Sequence, residues 1–81
     1  MLPSAVGFLG VMKNKIRLLQ VVARECGYVT SHGINWVWIE AIPTEPEAKL
    51  LLEFIEAFGL DHRGIYPPVP PDQQGYAIRY R

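Results

Sequence analysis

The chain has 81 residues, of which 49% are hydrophobic and 20% charged, and its formal net charge is zero. That is enough for one domain over residues 1–81 and excludes a disordered chain, which needs low hydrophobicity and excess charge. The single cysteine, Cys26, excludes an internal disulfide scaffold and suits a reducing compartment.

A domain this small buries only about 60–65% of the surface of its unfolded chain, so its core is thin. A deep catalytic cleft would use up much of it. The size therefore favours a non-enzymatic binding module, with no catalytic residue, metal or cofactor expected. No apolar run is long enough to span a bilayer, so no membrane partner is expected either. In the opening run, Met1 to Met12, the basic residues Lys13, Lys15 and Arg17 follow the apolar stretch instead of preceding it. That order argues against a secretion signal and for a cytoplasmic protein.

Residues 5–12 are apolar, broken by Gly7 and Gly10, and predict a buried first strand. From Asn14 to Cys26 the period lengthens. Ile16, Leu19, Ala23 and Cys26 mark the inner side of a helix, with Val22 beside them, Asn14 as its cap and Gly27 as its end. Tyr28–Thr30 and Ile34–Ile42 predict a hairpin turning at Ser31-His32-Gly33. After Pro43, Thr44-Glu45-Pro46-Glu47 has the form of a capping box with proline in the first turn. The second helix follows with Leu50, Leu51, Phe54, Ile55 and Phe58 inward, and it ends at Gly59-Leu60.

Residues 61–75 carry four prolines and predict an irregular connection, with Tyr66 and Val69 docking it over the sheet as a lid. Gly75 to Arg81 alternates, with Tyr76, Ile78 and Tyr80 inward and Ala77, Arg79 and Arg81 outward. The predicted order is βαββαβ. This is the ferredoxin-like α+β plan, a four-stranded antiparallel sheet with two helices on one face.

The strongest chemical signal is in the central strand. Trp36 and Trp38 share one face there, opposite Val37 and Ile39. If the branched residues meet the helices, the tryptophans stand on the open face of the sheet. Tryptophan, tyrosine and arginine dominate protein interfaces. A surface of Trp36, Trp38, Tyr76, Tyr80 and Arg79 therefore predicts a protein partner, or a homo-oligomer joined through the sheet. Neutral net charge places that ahead of nucleic acid, whose binding is largely electrostatic. The alternative is single-stranded nucleic acid stacking on the two tryptophans, with Lys13, Lys15, Arg17, Arg79 and Arg81 on the phosphates. A third expectation is a small anion held at the start of the first helix by Lys13, Lys15 and Arg17. Cys26, His32 and His62 show no metal-ligand spacing.

The charges are also sorted along the chain. Lys13, Lys15, Arg17 and Arg24 face Glu25 alone in the first half, whereas Glu40, Glu45, Glu47, Glu53, Glu56 and Asp61 outnumber Lys49 in the next segment. Sorted charge of this kind can steer a partner without any net charge.

Overall fold

A computed structural model describes residues 5–69 and 74–81, the stretch 5–12 by its backbone alone. Its elements are α1 (Ala5–Glu25), β1 (Val29–His32), β2 (Val37–Ile42), α2 (Glu45–Ala57), β3 (His62–Tyr66) and β4 (Tyr76–Tyr80). The strands lie in the order β1-β2-β4-β3, every neighbouring pair antiparallel. Leu19 and Ala23 of α1, and Ala48, Leu51 and Ile55 of α2, share one core with Val37, Ile39, Ile78 and Tyr80 of the sheet. Both helices therefore cover the same face, and the architecture is the expected α+β, ferredoxin-like arrangement.

The chain reaches that arrangement by a different route from the predicted one. Residues 5–12, expected as a first strand, are the first two turns of α1. An apolar run without clear alternation does not choose between helix and strand. Here the helix over residues 13–25 extends backwards one hydrogen bond at a time, with no new nucleus to form. The central sheet position beside β2 is filled instead by β4, and the fourth strand comes from His62–Tyr66 inside the supposed connection.

The local signals of the second half act as read. Thr44 is extended at φ −130°, its hydroxyl accepts from the Glu47 amide at 3.4 Å, and that hydroxyl donates to the Glu47 carboxylate at 2.7 Å. Gly59 turns left-handed at φ +74°, its amide donates to the Glu56 carbonyl, and the Leu60 amide donates to that of Ile55. These two bonds satisfy carbonyls the helix end leaves free, and buried Leu60 closes the cap. Gly27 and Tyr28 end α1 in the same way, bonding the carbonyls of Arg24 and Ala23. The inward set of α2 is narrower than predicted. Ala48, Leu51 and Ile55 are buried, while Leu50 and Phe54 stay about half exposed, and so do Leu18 and Val22 of α1. Cys26, expected in the core, is exposed.

β4 faces as predicted, with Tyr76 packed on the core and Ile78 and Tyr80 inside it. Its pairing with β2 shifts between Ile39 and Ile42, where Ala41 takes φ +59° as the odd residue of a bulge. The described part of the proline segment does not dock through Val69, which is 63% exposed, and residues 70–73 lie outside the described residues.

Tyr80 ties the sheet to α1. Its ring is fully buried, and its hydroxyl donates to the Ile16 carbonyl at 2.8 Å. Burial pushes the phenol above its ordinary range, with Arg24 pulling weakly the other way. A phenol whose folded pKa is raised supports the fold fully below the unfolded value near pH 10. That support is lost as pH climbs further. Tyr80→Phe is expected to lower stability by about 1 kcal/mol at neutral pH. It is also expected to flatten the loss of stability above about pH 10. Urea unfolding at neutral and alkaline pH measures both effects.

Candidate functional site

The face of the sheet away from the helices gathers side chains from three strands. Because Val37 and Ile39 are buried under the helices, the alternation of β2 turns Trp38 outward, and Trp36 stands beside it at the strand's entry. Arg79 pairs across from Trp38 on β4, and Tyr66 of β3 pairs across from Ala77. The Trp38 and Tyr66 rings lie 5.4 Å apart at a 51° tilt, a favourable aromatic geometry.

Arginines interleave with these rings. The guanidinium of Arg79 lies 4.9 Å from the centre of Trp36, 5.5 Å from Trp38 and 5.8 Å from Tyr66. Arg63 and Arg81 reach the same Trp36 ring at 5.1 and 4.5 Å. Each such contact is worth about 0.5–1 kcal/mol where water still reaches it. Three like charges around one indole nevertheless repel one another, and the acids nearby do little to neutralise them. Arg81 donates to Asp61 at 3.4 Å, while Arg63 and Arg79 have no ion pair among the described residues. The Nε of Arg79 is buried with no hydrogen-bond partner there. Its planar head is held by rings and not by a carboxylate, so the rest of its donors remain available to an anion.

Trp36, Trp38, Arg79 and Arg81 are thus brought together. Tyr80 and Tyr76, expected as contacts, belong to the other face, because their position in the alternation of β4 aims them at the helices. Lys13, Lys15 and Arg17 are not part of this face either, since α1 packs on the opposite side of the sheet. They also do not stand at a helix start. α1 begins at Ala5, so the amides around them are engaged within the helix and offer nothing to a small anion. Lys15 instead donates to the Phe58 carbonyl at the C-terminal end of α2, at 3.4 Å, where a cation is favourable. Arg63 escaped the sequence, and Tyr66, expected over the sheet as part of a lid, reaches it as a strand residue instead, because a single glycine and the following prolines disguise the five residues of β3. The strand itself lacks a clean alternation, because its register shifts between His62 and Ile65, where Gly64 takes φ +79°.

Both histidines and Tyr28 have structural partners, while the Cys26 thiol is free and exposed. His32 Nε2 lies 2.7 Å from the amide of Gln20. His62 accepts from the Gly64 amide through Nδ1, which leaves Nε2–H to donate to Glu56 at 3.0 Å, so it clamps the bulge of β3 to α2. Tyr28 donates to Glu47, and burial first, then that bond, raises its phenol. No cluster of histidine, cysteine and acidic side chains among the described residues could hold a metal ion. Among the described residues, too, no helix is long and apolar enough to cross a membrane. The chain matches no protein-family model, and comparison with curated proteins and with solved structures likewise finds no match.

Proposed function

We propose that this chain is a small non-enzymatic binding module whose open sheet face takes single-stranded nucleic acid. The observation that carries this reading is the layer of Arg63, Arg79 and Arg81 around Trp36, of which Arg81 alone is paired with an acid among the described residues. Net charge had favoured a protein partner, but binding responds to local charge, and this face is locally basic. Rings and guanidinium planes are both surfaces on which unstacked bases lie, and the free donors of the arginines match phosphate oxygens. Trp36, Trp38 and Tyr66 would take the bases, with Arg63, Arg79 and Arg81 on the backbone.

Tryptophan emission during titration with a mixed single-stranded oligonucleotide, at low and then physiological salt, tests the proposal. Saturable quenching is expected. For a single strand, log K falls with log salt by about 0.7 per phosphate contact. The three arginines give an expected slope near −2 on that basis. Emission that stays unchanged across the titration at low salt would sink the nucleic-acid reading and return this face to a protein partner.

A further inference from the structure

The helix layer carries an apolar surface that the fold leaves uncovered. Leu18, Val21 and Val22 of α1 are 50, 52 and 41% exposed, and Leu50 and Phe54 of α2 are 55 and 48% exposed. Val22, Cys26, Leu50 and Phe54 line a groove of about 240 Å³ between the two helices. It continues past Leu18 and Phe58 at the other end. The C-terminal end of α1 therefore lies beside the N-terminal part of α2, and the helices run antiparallel. Contiguous exposed leucine, valine and phenylalanine on a small domain mark an interaction surface.

Charge identifies the occupant. Over its described side chains α1 carries Lys13, Lys15, Arg17 and Arg24 against Glu25, and α2 carries Glu45, Glu47, Glu53 and Glu56 against Lys49. A foreign helix would have to match a helix of net positive charge on one side of the groove and one of net negative charge on the other. A second copy of this chain does so automatically. With a two-fold axis along the groove, α1 of each copy lies on α2 of the other, and basic faces acidic twice. The arrangement that stacks α1 on α1 sets like charges together. An isologous interface needs a self-complementary patch of this kind.

We infer that the chain forms a two-fold dimer through its helix layer, with Leu18, Val22, Leu50 and Phe54 as the apolar seam and α1–α2 charge pairing fixing the register. Four helices then form the middle of the assembly, as in a bundle. The two aromatic sheet faces point outward on opposite sides. The dimer does not depend on what those faces bind.

Sedimentation equilibrium of the full chain, from micromolar to near-millimolar concentration, tests this. The expected mass rises from 9.2 kDa towards twice that value. Phe54→Glu, at a half-exposed position where the monomer fold loses little, is expected to weaken the dimer at least ~100-fold, the scale of a central interface anchor. Its circular dichroism should be unchanged. Arg17→Glu and Glu53→Lys are each expected to weaken self-association, and their equimolar mixture to recover it as a heterodimer. A chain that stays monomeric throughout would overturn the inference. So would a dimer that survives Phe54→Glu but is lost in Trp36→Ala, because the contact would then lie on the sheet face. A charge-reversed mixture that associates no better than its components would overturn the charge-set register.

Discussion

Gly75→Ala is expected to destabilise the protein by about 3 kcal/mol or more, through backbone strain and a backbone clash together. Gly75 holds φ +93°, outside the region that residues with a Cβ adopt readily. An added Cβ would lie 2.8 Å from the Ile42 carbonyl oxygen and 3.0 to 3.1 Å from the Ala41 backbone. Those neighbours are main chain and cannot rotate away. They also belong to the bulge where β2 shifts register against β4, just before Ile42 pairs with Tyr76. To admit the methyl group, the end of β2 must move from the start of β4, and Ile42 and Ile78, both fully buried, move with them. For a domain of this size each kcal/mol is worth about 4–8 °C, so a fall in Tm of at least ~12 °C is expected. Differential scanning calorimetry measures it. Gly59→Ala is the control, since its added Cβ meets nothing within 4 Å and only the left-handed φ is strained. Its expected cost is about 1–2 kcal/mol. A Gly75 variant no worse than that control would show that the close approach between β2 and β4 is not limiting.

How much of this was legible in the sequence depended on how local each signal was. Thr44-Glu45-Pro46-Glu47, Gly59-Leu60 and the alternation of Tyr76, Ile78 and Tyr80 act within a few residues, and each does in the structure what its chemistry dictates. The hairpin was readable too, although β2 starts at Val37 because Gly33 to Trp36 closes the turn through a 2.7 Å bond, leaving Ile34 fully exposed at its tip. What failed was decided at a distance. Nothing near residues 5–12 says that the central sheet position is taken by a strand some seventy residues later. Leu50 and Phe54 satisfy the helix period, but the core takes Ala48, Leu51 and Ile55 of α2 and leaves those two half exposed, and period alone cannot show that. The candidate site was half visible for the same reason. The two tryptophans follow from the alternation of one strand, whereas Arg63 and Tyr66 join them only through the pairing of β3 with β4.

Arg79→Ala is expected to weaken binding of a single-stranded oligonucleotide by about 10- to 100-fold, because the side chain that serves three rings is also the one proposed to meet a phosphate. Stacked contacts are worth about 1–3 kcal/mol per base by alanine substitution. Arg79 is within 6 Å of Trp36, Trp38 and Tyr66, so its removal loosens each of these rings as well as removing a charge. Stability should hardly change, because the lost cation contacts are offset by removal of a buried Nε that has no partner. Arg79→Lys separates the two contributions. Lysine keeps the charge but has neither a planar head to stack nor a fork of donors, so the salt dependence should persist while affinity falls. The alanine variant should instead lose about 0.7 from the salt slope. Fluorescence anisotropy of a labelled oligonucleotide against salt reads both quantities, and thermal melts confirm the fold. Equal affinity for wild type and Arg79→Ala would mean that the guanidinium layer only props the tryptophans. A loss fully rescued by lysine would mean that this face reads charge alone, and the aromatic rings beneath it would then be scaffolding for three cations instead of a platform for bases.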